Sequence, residues 1–97
     1  MKTKDEILVT LRELMPELES KYNVRFLGLF GSVVRGEQSP GSDIDLLVEI
    51  HPPIGLFKFL ELEEFLSDRL DGKVDLVSKK ALKPEIGRVI LSEVVAA

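Results

Sequence analysis

One stretch of this 97-residue chain, Gly28 to Ile50, decides the fold, and it reads GLFGSVVRGEQSPGSDIDLLVEI. It completes a short apolar segment, Val24 to Phe30, which predicts a buried strand. Gly31-Ser32 ends that strand sharply, and a second strand is predicted from Asp43 to Ile50. We therefore expect two neighbouring strands joined by one short excursion.

The excursion between the two strands carries turn and loop residues. Ser32 is expected to cap a short helical turn through about Arg35, and Gly36 is expected to end it. Glu37 to Ser42 then contains Ser-Pro-Gly, which predicts a loop.

The flanking residues predict three helices and a third strand around this centre. Thr3 and Glu6 form a capping-box pattern, and Pro16 is expected to kink or divide the helix that follows. The predicted elements are a helix ending near Tyr22-Asn23, a helix Ile54 to Leu70, a strand Lys73 to Val77, a connector Ser78 to Lys83, and a helix from Pro84 toward Val95. This order predicts one α/β domain over residues 1–97, a small mixed sheet with helices against it and little room for another strand.

Composition excludes several classes of function. The net charge is −4, from 13 basic and 17 acidic residues, which argues against non-specific nucleic-acid binding. The chain has no cysteine, so disulfides and thiolate metal sites are excluded. It has neither an apolar signal core at the N-terminus nor a run of about 20 apolar residues. We expect a soluble cytoplasmic protein that has no membrane association.

Asp43 and Asp45 lie two residues apart on a predicted strand, so both carboxylates point to the same face. Side-by-side carboxylates repel each other unless a cation or protons intervene, and hard oxygen ligands of this kind suit magnesium or manganese. The alternative is a solvated junction between loop and strand with two ordinary acidic residues.

Two further features have a functional and a structural interpretation. Gly31 allows an anion to approach the backbone, and the N–H groups that follow, with the Ser32 hydroxyl, could donate to phosphate. Gly-Ser is also a common turn at the end of a strand. Asp75 lies among apolar residues in the third strand, so it either holds a metal or faces water from an edge strand.

Taken together, these features resemble the polymerase-beta-like nucleotidyltransferase superfamily and, within it, the minimal nucleotidyltransferases. The resemblance covers nearly the whole chain, through Gly28 to Ile50 and then KVDLVS at 73–78. The matching residues are Gly31, Ser32, Arg35, Gly36, Ser42, Asp43, Asp45 and Asp75.

The resemblance implies magnesium-dependent nucleotidyl transfer with two metal ions and ATP as donor. Asp43 and Asp45 would bridge the two ions, and Asp75 would complete the site of the ion that activates the attacking hydroxyl. Gly31 and Ser32 would hold the β- and γ-phosphates.

The same resemblance places Ser42 and Arg35 among the nucleotide-binding residues. For Arg35 two roles stay open, because a guanidinium near phosphates could pair with the nucleotide or could hold the loop through Glu37.

The resemblance also implies a partner, because a chain this small lacks the further domains that hold the acceptor in larger members. Minimal nucleotidyltransferases are commonly encoded beside HEPN-domain proteins, and some act as antitoxins by transferring AMP to a tyrosine hydroxyl of that toxin. We therefore expect a homo- or hetero-oligomer. The alternatives are an antitoxin that binds without catalysis and an enzyme that modifies a small-molecule hydroxyl.

Overall fold

The structure, a computed structural model, describes residues 2–97 as four α-helices and four strands. None of the helices within these residues is long and apolar enough to cross a bilayer. The elements are α1 (Lys4–Tyr22), β1 (Val24–Phe30), α2 (Ser32–Arg35), β2 (Ile44–Ile50), α3 (Leu56–Leu70), β3 (Val74–Ser78), a 3₁₀ turn (Lys79–Ala81), α4 (Pro84–Glu93) and β4 (Val95–Ala96).

The strands form one mixed sheet in the order β3-β2-β1-β4. β1 pairs antiparallel with both β2 and β4, whereas β2 and β3 are parallel. The parallel pair is joined through α3, as a parallel connection requires a crossover. This confirms the predicted α/β class and its mixed sheet.

One face of the sheet packs against α1 and α3 and forms the core. Alternate residues of β2, Ile44, Leu46 and Val48, are buried in one apolar core with α1 and α3. Because strand side chains alternate between faces, Asp45 and Leu47 point to the opposite side. The core therefore fixes which face of the sheet carries the carboxylates.

Two helix predictions need correction. Pro16 does not divide α1, which runs unbroken through it, because Pro16 is exposed and buried leucines on the other side of the helix hold both halves against the sheet. The helix predicted from Ile54 begins at Leu56, because Gly55 adopts a φ of +80° at the N-cap. The capping box of Thr3 and Glu6 is confirmed by reciprocal hydrogen bonds of 2.9 and 3.2 Å.

The C-terminus also differs from the prediction. The last helix stops at Glu93 rather than continuing to Val95, and Val95–Ala96 form β4 against β1. Two residues are too short to show a period in sequence, and the pairing depends on contact with β1. A Cβ on Gly28 would meet Val94 at 2.5 Å, so the lack of a side chain at Gly28 lets the segment lie close to the sheet.

Side chains of α3 protect the outer edge of β3. The N–H of Val74 donates to Ser67 Oγ at 3.0 Å, and the N–H of Leu76 donates to a Glu63 carboxylate oxygen at 2.8 Å. An edge strand left with unpaired amides is a template for aggregation, and these two bonds occupy the amides. They also tie β3, and with it Asp75, to the helix layer.

The first prediction compares two leucines of α3. Leu66 is 0% exposed and Leu60 is 47% exposed. Leu66→Ala should lower the free energy of unfolding by about 2–4 kcal/mol because it leaves a cavity in the core. Leu60→Ala should change it by less than about 0.5 kcal/mol. Urea unfolding followed by circular dichroism measures both, and equal losses would contradict the described core.

Candidate functional site

The parallel register of β2 and β3 brings two of the predicted carboxylates side by side. Asp45 pairs with Asp75, and residues paired in register point to the same face of a sheet. Asp43 lies one residue before β2 and two before Asp45. The three aspartates (Asp43, Asp45 and Asp75) therefore share the face opposite the core. Asp75 is exposed on an edge strand, as one of its two predicted settings required.

The electrostatics of Asp45 show how closely these groups interact. Burial raises the pKa of Asp45 above its ordinary value, and the negative charges of Asp75 and then Asp43 raise it further. Arg35 opposes the shift, and Glu93 adds to it. The ionised form of Asp45 is thus destabilised by burial and by the neighbouring negative charges.

The donor chemistry fits a hard divalent cation, because aligned carboxylate oxygens are what magnesium and manganese bind. The side chains themselves do not converge: within residues 2–97 no group of three His, Cys, Asp or Glu residues already forms a site that could hold an ion. The backbone of the three aspartates is thus aligned on one face, while their side chains are not gathered at one point.

Gly31 connects the strand to the three aspartates. Its φ of +81° and ψ of −152° are accessible essentially only to glycine. A Cβ built at this position would collide with the Asp45 carboxylate. Gly31 is therefore required twice, for the backbone conformation and for the close approach to Asp45.

The short helix α2 begins at Ser32 and has Gly31 as its N-cap, so the prediction that Ser32 caps this turn is wrong. The Arg35 N–H donates to the Gly31 carbonyl at 3.1 Å and closes the first turn. The first amides of a helix have no partner inside it. Those of Ser32 and the residues after it are thus oriented as donors at the end of β1, near Asp45.

Arg35 lies between two carboxylates. Its Nε donates to Glu37 at 2.8 Å, and its Nη1 donates to the two carboxylate oxygens of Glu93 at 3.0 and 3.2 Å. Hydrogen bonds to Glu37 and then to Glu93 raise the pKa of Arg35. The structure thus favours the second of the two roles left open by the sequence, in which Arg35 holds the loop through Glu37.

Sequence reasoning overlooked Glu93. Besides Arg35, it accepts the N–H of Gly31 at 2.7 Å, so it touches the turn at the centre of the site. No motif surrounds it, and it lies 62 residues away along the chain. Recognising β4 would have found it, because pairing of Leu29 with Val95 brings the end of α4, where Glu93 lies, close to Gly31.

Ser42 fixes the loop that precedes Asp43. Its hydroxyl accepts the N–H of Ser39 at 3.0 Å and lies 3.2 Å from the Ser39 hydroxyl. Ser42 also lines an open, largely apolar cleft of about 520 Å³ between this loop and the turn at 71–73. The hydroxyl therefore holds the turn that leads into Asp43.

Comparison with known proteins places this geometry in context. Residues 11–97 match the nucleotidyltransferase domain family. Protein adenylyltransferase MntA of Thermococcus cleftensis is 45% identical over 95 residues, which are 98% of this chain and 96% of that protein. A solved structure of a candidate minimal nucleotidyltransferase has 33% identity and a TM-score of 0.78 over 93% of this chain and 92% of that one.

A structure from Shewanella oneidensis, of a tri-AMPylated HEPN toxin in complex with MNT antitoxin, has a TM-score of 0.68 at 20% identity. That match covers 93% of this chain and 70% of the other, and at this identity it supports the fold alone. With the minimal nucleotidyltransferase, it confirms that the fold is of the polymerase-beta-like type.

The second prediction concerns the repulsion at Asp45. The raised pKa means that the folded protein binds this proton more tightly than the unfolded chain. Ionisation of Asp45 therefore costs stability above its pKa, and the cost disappears as the pH falls below its ordinary value of 3.8. In metal-free buffer at pH 7, Asp45→Asn should raise Tm by a few degrees, since repulsion at a half-buried group that solvent still screens is worth about 1 kcal/mol.

Differential scanning fluorimetry against pH measures this effect, with Glu49→Gln on the same face of β2 as the control. The gain for Asp45→Asn should vanish at acidic pH. A lower Tm for Asp45→Asn, or an equal gain for Glu49→Gln, would rule out repulsion as its cause.

The third prediction compares two glycines of the same turn. Gly31 and Gly36 both have positive φ, +81° and +72°, but a Cβ on Gly36 meets nothing within 4 Å. Gly36→Ala should therefore cost only about 1 kcal/mol for its left-handed conformation. Gly31→Ala should cost at least about 2 kcal/mol, because it adds a collision with Asp45 to backbone strain. Chemical denaturation that gave equal losses would contradict this packing.

Proposed function

The chain belongs to the nucleotidyltransferase domain family and is a nucleotidyltransferase, and from this we propose that it transfers AMP from ATP to a hydroxyl of a partner protein. The observation that carries the proposal is the alignment of Asp45 with Asp75 beside the Gly31 turn. Such an alignment would put carboxylate oxygens that could bind a metal ion next to backbone N–H groups that could bind phosphate. Nucleotidyl transfer from a magnesium-bound triphosphate needs both.

The three aspartates would hold two magnesium ions, with Asp43 and Asp45 on both and Asp75 on one. When bound, the ions supply charge stabilisation for the attacking and leaving oxygens. The carboxylates would provide the opposing charge. Burial and neighbouring carboxylates make Asp45 costly to ionise, and this favours the uptake of cations.

The turn at Gly31 and Ser32 would hold the β- and γ-phosphates through amides at the start of α2. Backbone donors and the orientation of the first turn suit an anion. The glycine lets that anion approach without a side chain in the way. Direct contact of Arg35 or Ser42 with the nucleotide stays a prediction, because both groups are engaged in holding the loop before Asp43.

We propose a HEPN-domain toxin as the partner and a tyrosine hydroxyl as the acceptor. Protein adenylyltransferase is the name of the relative that matches nearly the whole chain. The structurally similar MNT antitoxin of Shewanella oneidensis is in complex with an AMPylated HEPN toxin. We also propose a cytoplasmic location, where ATP and magnesium would be supplied.

The fourth prediction tests this reaction with a purified HEPN-domain protein as the partner, α-labelled ATP and magnesium. Wild type should transfer label to the partner, with a mass gain of one AMP on a tyrosine. Asp43→Asn, Asp45→Asn and Asp75→Asn should each reduce the rate at least about 100-fold, because each removes a ligand of ions that contribute several kcal/mol.

Glu49→Gln is the matched control, since it removes a carboxylate from the same strand face beyond the three aspartates, and it should retain wild-type transfer. Neutralisation of the partner without label, unaffected by all three substitutions, would favour a binding antitoxin. Label on a small molecule but not on the protein would contradict the proposed acceptor. Unchanged transfer by Asp75→Asn alone would remove Asp75 from the metal site.

A further inference from the structure

Glu93 accepts three hydrogen bonds from Gly31 and Arg35, and the proposed function gives it no role. Its carboxylate accepts the Gly31 N–H at 2.7 Å and the Arg35 guanidinium at 3.0 and 3.2 Å. Its side chain is only 22% exposed, whereas that of Arg35 is 48% exposed. Glu93 is thus the more enclosed member of the pair, with one oxygen shared between a backbone amide and a guanidinium.

Pairing at the sheet edge determines where Glu93 lies. In the antiparallel register, Gly28 pairs with Ala96 and Leu29 with Val95. The Ala97 N–H extends the ladder by donating to the Leu27 carbonyl at 2.9 Å. Glu93 is the last residue of α4 and lies two residues before Val95. Pairing of Val95 with Leu29 therefore holds the end of α4, and with it the Glu93 carboxylate, beside the turn that follows β1.

The contact to Gly31 fixes the orientation of one peptide plane. The backbone conformation of Gly31 is one that essentially only glycine adopts. A charged acceptor holds an N–H about twice as strongly as a neutral one. The Gly31 N–H donates to Glu93, and the Gly31 carbonyl accepts the backbone N–H of Arg35. The peptide groups on both sides of Gly31 are therefore restrained. The amides at the start of α2, ahead of that of Arg35, are then left to face a phosphate.

The pairing with Arg35 keeps this carboxylate compatible with an anionic substrate. A bare carboxylate beside a triphosphate would repel it. Arg35 offsets that charge, and Glu37 holds Arg35 from the other side. The three side chains thus act as one unit that supports the turn.

We propose that Glu93 is a positioning residue for the nucleotide, which holds the Gly31 turn in the conformation that binds the triphosphate. The inference depends on the proposed nucleotidyl transfer. Because phosphate is bound by this turn both before and during transfer, loss of Glu93 should weaken binding of ATP more than it slows the chemical step.

The same contacts would also fit the opposite role. In that role, Glu93 occupies N–H donors that the triphosphate must bind. That role gives the reverse result, since removing Glu93 would then tighten nucleotide binding. The two roles are separated by the sign of the change in affinity, so one substitution series decides between them.

The fifth prediction concerns Glu93→Ala, Glu93→Gln and Glu93→Asp, with Glu85→Ala as the control because Glu85 is an exposed acid on the same helix. KM for ATP in transfer to the partner, and Kd for a non-hydrolysable ATP analogue with magnesium by calorimetry, should each rise about tenfold in Glu93→Ala, with kcat within about threefold of wild type. Glu93→Gln retains an oxygen acceptor for the Gly31 N–H and should recover most of the affinity. Glu85→Ala should match wild type.

Unchanged or tighter nucleotide binding in Glu93→Ala would overturn the proposal, as would a fall in kcat with KM unchanged. If Glu93→Ala does not fold, Glu93→Asp serves instead, because it keeps the charge but withdraws the carboxylate by one methylene; the same rise in Kd is expected. Wild-type protein that binds the analogue but labels no acceptor would contradict the proposed function and leave the Glu93 comparison intact.

Discussion

Mutual repulsion among carboxylates is the constraint on which this site depends. Parallel pairing of β2 with β3 sets Asp45 beside Asp75, and Asp43 lies two residues before Asp45. The core residues that alternate with them, Ile44 and Leu46, are buried and prevent the strand from turning its acidic face elsewhere. Hydrophobic burial thus holds charges together against their repulsion, and a bound cation would relieve it.

The small sheet connects this constraint to the Gly31 turn. β1 is central: it pairs with β2, which carries Asp45, and with β4, which follows directly after Glu93 and Val94. Gly31, at the end of β1, contacts both groups, since its N–H reaches Glu93 and its missing side chain makes room for Asp45. A substitution that disturbs the pairing of β1 with either β2 or β4 should therefore alter the conformation of the Gly31 turn.

Much of this could be read from the sequence, and the exceptions have physical causes. Strand alternation placed Asp43 and Asp45 on one face, and a glycine after a buried strand indicated the turn. The register that aligns Asp75 with Asp45 is a tertiary property, so only the structure supplies it. β4 has two residues and no periodicity, and Glu93 was overlooked for that reason. Arg35 could pair either with the nucleotide or with Glu37, both of them anionic, and the sequence could not choose between these two roles.

The measurement that tests the central claim most directly is anomalous diffraction from crystals grown with manganese and a non-hydrolysable ATP analogue. We predict manganese peaks bounded by the carboxylates of Asp43, Asp45 and Asp75, with the analogue's β- and γ-phosphates at the amides that follow Gly31. Manganese bound away from these three carboxylates, or phosphates bound away from the Gly31 turn, would contradict the assignment of this site.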